Sequence, residues 1–473
     1  MEKKNTTQRE ERAPIVVVLG HVDHGKTTLL DNIRLTQVAA KEEGGITQSI
    51  GASIVTTKEG KKITFIDTPG HAAFSKMRSR GANVADIAIL VVSASDGVQP
   101  QTKEALERII DAKIPFIVAA TKIDLPSANL EAVQTQLEKE GILFEGKGGD
   151  IPLVGVSGKT GRGVDQLLEV IMLVAELNDI KGDPQSSLEA VVIEVGKDRR
   201  GPTATVVVRN GTLSVGEEII TETAKLKIRG LFDNNEKSVR SVRPGEPAQI
   251  LGFKATPPVG SRIWSVDQKT LTPQISEPKK LLDLSVSEEQ FAICLKTQNA
   301  GSLEAIQSNL PESVVVISSG VGDVTESDIF LAKASSALIF AFESKVPHQV
   351  KKLAGMEGVD IESFGVIYEL FDRLDEITKK HKVEILGKAE ILAVFPYDQI
   401  KVAGCKVLQG KITKKDTLLL TRGGKEVGSV STLSLKRGRS DIEEAKQGEE
   451  CGVLFTPQLD FKVGDVILSV PKR

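Results

Sequence analysis

The feature that most constrains this chain is the octapeptide Gly20-His21-Val22-Asp23-His24-Gly25-Lys26-Thr27. The apolar run Ile15-Val16-Val17-Val18-Leu19 before it reads as a buried strand. Thr28-Leu29-Leu30-Asp31-Asn32-Ile33-Arg34 after it reads as an amphipathic helix start. Strand, G-x-x-x-x-G-K-[ST] and helix, in that order, make a P-loop. Its glycines let the backbone wrap a phosphate with the N–H groups inward, and the helix N-terminus adds partial positive charge. Lys26 is expected to reach the β- and γ-phosphates, and the Thr27 hydroxyl to hold Mg²⁺. Asp23, His24, Gly25 and Thr28 complete the expected phosphate cradle. The bland alternative is a Gly-rich turn with a chance lysine, and the flanking strand and helix argue against it.

Bulk properties exclude several classes. The 473 residues suggest about three domains. A net charge of -3 rules out a uniformly polybasic nucleic-acid binder, so any RNA contact must come from local patches. Cys294, Cys405 and Cys451 lie far apart without metal-ligand spacing, which fits a reduced cytoplasmic protein with no disulfide framework. Residues 1–12 are charged, lack the apolar stretch of a signal peptide, and are expected to be a disordered tail. No apolar run is long enough to span a bilayer, so no membrane role is expected.

Residues 13–180 alternate apolar strands with helical patterns. The candidate strands are 15–19, 63–66, 87–92, 116–120 and 153–156. This is the signature of a mostly parallel, doubly wound α/β sheet, whose ligands sit at the carboxyl ends of strands. The suspect residues fall there. Asp67 of Asp67-Thr68-Pro69-Gly70-His71 stands where a carboxylate holds Mg²⁺ through water, and Gly70 permits close backbone approach to a γ-phosphate. Gly44-Gly45-Ile46-Thr47-Gln48 reads as a mobile loop whose Thr47 hydroxyl can complete the Mg²⁺ shell in the triphosphate state. In Thr121-Lys122-Ile123-Asp124, the Asp124 carboxylate can accept both N1–H and N2–H₂ of guanine, a donor pair adenine lacks. The backbone of Ser157-Gly158-Lys159 can donate to guanine O6. In this order the set selects GTP over ATP. A histidine beside the γ-phosphate, His71, can position water or donate a proton; the bland alternative is a loop histidine bonded to a carbonyl.

The remainder divides by composition. Residues 181–187 and 270–280 read as linkers. Residues 188–269 show short strands and turns at Asn210-Gly211 and Pro244-Gly245, a β-barrel pattern. Residues 281–364 alternate strands and helices as an α/β domain with no phosphate loop. Ile367, Leu370, Phe371, Leu374 and Ile377 form a helical apolar stripe, read as a connector helix over 365–382. Residues 383–473 repeat the barrel: Gln409-Gly410 echoes Asn210-Gly211, and Gln447-Gly448-Glu449 echoes Pro244-Gly245-Glu246. This last barrel carries Arg422, Lys425, Lys436, Arg437 and Arg439, suited to RNA phosphates or simply to a solvated face.

G-H-V-D-H-G-K-T-T, G-G-I-T-Q, D-T-P-G-H-A-A-F and T-K-I-D together resemble the translational GTPases. G-G-I-T-Q-S-I and M-R-S-R-G, with G-S-L-E-A-I further on, are similar to bacterial translation initiation factor 2 in particular. The resemblance runs from about Ala13 to the C-terminus, with a very short N-terminal extension. It implies His71 as the residue that orients the attacking water on the ribosome, and Val22 and Ile46 as an apolar gate beside it. It implies that the last barrel holds the formylmethionyl end of initiator tRNA through Cys405, Lys436, Arg437, Glu450, Cys451 and Gly452. Three positions depart from the family pattern. Thr121 replaces an asparagine that braces the P-loop, so lower nucleotide affinity is expected. Gly158 replaces an alanine, with little effect expected. Gly438 replaces an aromatic residue after Lys-Arg, which is expected to weaken recognition of the formyl group.

The resulting expectation is a cytoplasmic, monomeric, ribosome-stimulated GTPase using GTP/GDP and Mg²⁺. It binds initiator tRNA and both ribosomal subunits, promotes subunit joining, and hydrolyses GTP slowly on its own because no cis arginine finger is evident. Two rivals are an RNA-binding ribosome factor that uses GTP mainly as a ligand, and an elongation-type carrier of aminoacyl-tRNA. The α/β unit between the two barrels argues against the carrier.

Overall fold

The computed structural model describes residues 9–34, 47–48, 50–70, 72–198, 200–234, 236–266, 290–381, 386–397, 400–423, 425–438, 440–457 and 459–470. It separates into two compact units, Met1–Leu374 and Asp375–Arg473.

The first unit begins with a six-stranded sheet in the order Gly51–Thr56, Lys62–Asp67, Ile15–Gly20, Ile87–Ser93, Phe116–Thr121, Leu153–Gly155. All neighbours run parallel except the edge strand Gly51–Thr56, which is antiparallel to Lys62–Asp67. The continuous apolar runs follow from burial on both faces: every residue of Ile15–Gly20 and Ile87–Ser93 is buried. The edge strand G-A-S-I-V-T carries no such run and is half-buried. The tail expectation needs correction for its last residues. Glu10–Glu11 pairs with Lys181–Gly182, and the Arg12 guanidinium forks onto both oxygens of Asp86 at 2.7 Å. The first proposed linker is likewise built in, since Asp183 donates its N–H to Asn210 Oδ1 and accepts from the Gly211 N–H.

The second module is a curled antiparallel sheet. The chain from Lys225 to Phe232 pairs at one end with Glu218–Thr221 and at the other with Pro247–Leu251, which closes a barrel. The third is a four-stranded parallel sheet with helices Ala300–Ser308, Glu326–Ala334 and His348–Glu357. Asn299 caps the first helix by accepting the Ser302 N–H at 2.7 Å. The apolar stripe of Ile367–His381 is real, with Ile367, Leu370 and Leu374 fully buried. The unit boundary falls within this helix, after Leu374. Its first turns therefore belong to the first unit and only its later part to the connection.

The second unit is a closed six-strand barrel, because Gly387–Tyr397 pairs with both Val466–Val470 and Ile400–Thr413. The internal repeat extends to individual bonds. Gly245 donates to Val208 O at 2.7 Å, and Gly448 to Val407 O at 2.8 Å. Glu246 accepts the Arg243 N–H as Glu449 accepts the Lys446 N–H. Gly245 (φ +84°) and Gly448 (φ +85°) adopt the same left-handed turn.

Candidate functional site

The expected nucleotide residues converge at the carboxyl edge of the first sheet. Gly25 (φ +82°) and Asp23 (φ +59°) turn the chain from strand into helix Lys26–Arg34. Gly20 is obligatory here, because a Cβ would lie 2.3 Å from the Val91 carbonyl oxygen. Lys26 is buried and its ammonium donates to the His21 carbonyl at 2.6 Å. Burial lowers its pKa to about 8. His24 is also buried and held neutral, its pKa pushed down to about 4 by burial and then by neighbouring His21. Its Nδ1 accepts the Ser93 N–H at 3.3 Å. Thr28 is exposed at the mouth of the loop.

Oxygen ligands gather beside the lysine. The Thr27 and Thr47 hydroxyls are 2.7 Å apart. Asp67 ends its strand 3% exposed, and its Oδ1 is buried with no hydrogen-bond partner. Burial raises its pKa to about 6, against the opposing pull of Arg34 and Lys26. An orphaned carboxylate oxygen and a pair of hydroxyls, carried to the carboxyl edge of one sheet, are the oxygen donors that suit a hard divalent cation. Thr68 ties the turn down by donating to the Val18 carbonyl at 2.8 Å. Gly70 lies over the P-loop so closely that a Cβ would stand 2.4 Å from Lys26 Nζ.

The base end forms separately. Asp124 is exposed, and the Ser157 hydroxyl donates to its Oδ1 at 2.7 Å, which holds the carboxyl below its ordinary pKa. Lys122 adopts φ +59° and pairs with Asp96 at 2.8 Å. Ser157 is buried and Lys159 exposed. Thr121 Oγ1 donates to the His24 carbonyl at 2.6 Å, so the hydroxyl braces the P-loop as expected of the missing asparagine. Gly158 packs closely on the P-loop helix. A Cβ there would lie 2.8 Å from the Leu29 nitrogen, so this backbone is fitted to glycine and an alanine must displace the helix start.

His71 and Ile46 lie outside the described residues. Of the expected gate, Val22 is half-buried and its N–H donates to Gln101 Oε1 at 3.0 Å.

The chain matches three family models: Elongation factor Tu GTP binding domain over residues 11–176, Elongation factor G domain 2 over 187–266, and Translation-initiation factor 2 over 272–375. Translation initiation factor IF-2 of Caldanaerobacter subterraneus subsp. tengcongensis is 40% identical over 98% of this chain and 71% of its own length. The chain belongs to the translation initiation factor IF-2 family. The IF-2 of Aquifex aeolicus is 41% identical over 97% of this chain, which spans 61% of that relative. A crystal structure of GDP-bound aIF5B from Aeropyrum pernix is 28% identical, covering 98% of this chain and 92% of that one at a TM-score of 0.46. The P-loop module lies within the part of the chain that matches the Elongation factor Tu GTP binding domain.

In the second unit of this IF-2 family member, the implied tRNA residues fall on two sides of one sheet. Gly452 pairs with Gly404 on one side and Lys436 on the other. Lys436, Arg437 and Glu450 are exposed. Cys405 and Cys451 pair directly but face the core, 2% and 5% exposed. Burial raises both thiol pKa values, that of Cys451 to about 11. Their side chains therefore lie beneath the exposed face that carries Lys436, Arg437 and Glu450. The basic cluster is partly neutralised. Arg422 forks onto Asp465, Arg437 pairs with Glu449, and Lys436 stands 3.9 Å from Asp441. Gly438 sits at φ +60° in the turn closed by the Arg437–Ser440 pair, a conformation that disfavours an aromatic residue.

Sequence reading missed four residues. Gln101 and Glu104 lie one turn apart on helix Pro100–Ala112 and hold the P-loop and, through Arg78, the Pro69–Gly70 turn. Gln48 is 3% exposed; it donates to the Gly365 carbonyl at 2.6 Å and accepts the Ile367 N–H at 3.0 Å. The i, i+3 spacing of Gln101 and Glu104 behind an N1 proline was the available signal.

Proposed function

We propose that this chain is a GTP-dependent initiation factor that places initiator tRNA on the small ribosomal subunit, promotes subunit joining and hydrolyses GTP on the ribosome. The observation that carries the reading is the joint placement of Lys26, the Thr27–Thr47 hydroxyl pair and the unpartnered Asp67 oxygen, with Asp124 at the base end. Lys26 and the loop N–H groups bind the β- and γ-phosphates. Thr27, Thr47 and, through water, Asp67 hold Mg²⁺, which neutralises phosphate charge. Asp124 accepts from guanine N1–H and N2–H₂, while the Gly158 and Lys159 backbone N–H groups read O6; the Ser157 N–H is engaged by the Arg162 carbonyl at 2.9 Å, and Ser157 serves through its hydroxyl on Asp124. Thr121 and Lys122 keep the two ends in register.

His71 orients the attacking water when the ribosome positions it, with Val22 and Ile46 as an apolar gate. Lys436, Arg437, Glu450 and Gly452 form the face for the aminoacylated end of the tRNA, over the buried Cys405–Cys451 pair. The protein acts in the cytoplasm as a monomer. The test is retention of formylmethionyl-tRNA on small subunits with GTP, followed by large-subunit joining measured by light scattering. Lys436→Ala/Arg437→Ala is expected to lose tRNA retention while GTP binding persists. Normal retention by that variant overturns the assignment of this face.

A further inference from the structure

Arg78 is fully buried. A buried guanidinium carries a large desolvation cost unless its donors are matched. Here Nη1 donates to the carbonyl oxygens of Pro69 at 3.2 Å and Gly70 at 3.3 Å, and Nη2 to both Glu104 oxygens at 2.8 Å. Glu104 is in turn held by the Ser75 hydroxyl at 2.7 Å, and its carboxyl stays below its ordinary pKa because the Arg78 and Ser75 bonds outweigh burial. The clamp therefore ties the turn to helix Pro100–Ala112, the same helix whose Gln101 holds the Val22 N–H of the P-loop.

Peptide geometry makes this grip directional. The Pro69 carbonyl and the Gly70 N–H share one planar peptide unit, so they point in opposite directions when it is trans. Holding the carbonyl at Arg78 aims the Gly70 N–H away from it, and Gly70 packs against Lys26 Nζ and the Val22 backbone. The Arg78 charge is also felt at Lys26, whose pKa it helps to lower after burial.

We propose that Arg78, clamped by Glu104, is a positioning residue that sets the Pro69–Gly70 turn for the γ-phosphate and thereby the preference of the site for GTP over GDP. This rests on the GTP reading above. A γ-phosphate adds one charge-assisted bond at Gly70 that GDP lacks, and such a bond is worth about tenfold or more in affinity.

The test is equilibrium binding of GDP and of an imido-bridged GTP analogue to the full chain, wild type against Arg78→Lys and Glu104→Gln. Lysine cannot reach two carbonyls and a carboxylate at once, and glutamine removes the charge that holds the fork. We expect analogue affinity to fall about tenfold relative to wild type, with GDP affinity within about twofold. Equal losses for both nucleotides in a folded variant, or no loss for either, overturns the proposal. If Arg78→Lys fails to fold, Glu104→Gln decides between these outcomes. A wild-type protein that binds neither nucleotide overturns the GTP reading and this proposal with it.

Discussion

Thr121 Oγ1 donates to the carbonyl oxygen of His24 at 2.6 Å. Both residues are buried, Thr121 at 2% and His24 at 1% exposure, so this bond joins the guanine-reading turn to the phosphate loop away from water. Removing the hydroxyl leaves a buried carbonyl without that donor, at a cost of about 1–3 kcal/mol. Thr121→Val is therefore expected to weaken GDP binding about tenfold or more, read by fluorescence titration. Thr121→Asn, which restores an amide donor, is expected to bind at least as tightly as wild type. A Thr121→Val protein with unchanged affinity contradicts the bracing role.

Asp124 sets base identity. Its carboxylate accepts from Ser157 at one oxygen and is exposed for a pair of donors from the base. Asp124→Asn places an amide donor there, which opposes guanine N2–H₂ and matches the C2 carbonyl of xanthine. We expect this variant to lose GTP binding by at least tenfold and to gain binding of xanthosine triphosphate. Retained GTP preference argues that Asp124 does not contact the base.

The pH dependence of nucleotide binding follows from two buried groups. Burial raises Asp67 to about 6 in the free protein and lowers Lys26 to about 8. Below pH 6 a proton competes with the cation at Asp67. Above pH 8 Lys26 loses the charge that meets the phosphates. Affinity for GTP with Mg²⁺ is expected to be greatest between these values and to fall about tenfold per pH unit beyond them. A profile that is flat from about pH 5 to 9 contradicts this.

Gln48 fastens the loop next to Thr47 to the third module. Its side chain bonds Gly365 O and the Ile367 N–H, and its carbonyl accepts from Ser302 Oγ at 3.3 Å. Gln48→Ala removes the acceptor from the first amide of the buried helix. Hydrogen exchange at Ile367 is expected to quicken about tenfold, with Leu370 and Leu374 little changed. Unchanged exchange at Ile367 shows that Gln48 does not secure it.

What could be read from the sequence was local. The P-loop, D-T-P-G, T-K-I-D and S-G-K are short runs whose spacing is their chemistry, and the fold carries each to the same sheet edge. The barrel repeat was legible because turn glycines recur in the same order. What could not be read depends on distance along the chain. Arg78 meets Glu104 26 residues away, and Gln48 meets Ile367 319 residues away. No periodicity announces such pairs. The strand Gly51–Thr56 escaped because an edge strand needs no continuous apolar run. The close packing of Gly158 was not legible because what it meets is the backbone of Leu29, invisible from its own neighbours.

The most direct test of the account is GTP hydrolysis by the purified chain, measured alone and with ribosomal subunits, for wild type and His71→Ala. Turnover is expected to be slow alone and strongly stimulated when both subunits are present, and His71→Ala is expected to lose that stimulation with GTP binding retained. Normal GTP binding without ribosomal stimulation, or full stimulation in His71→Ala, contradicts it.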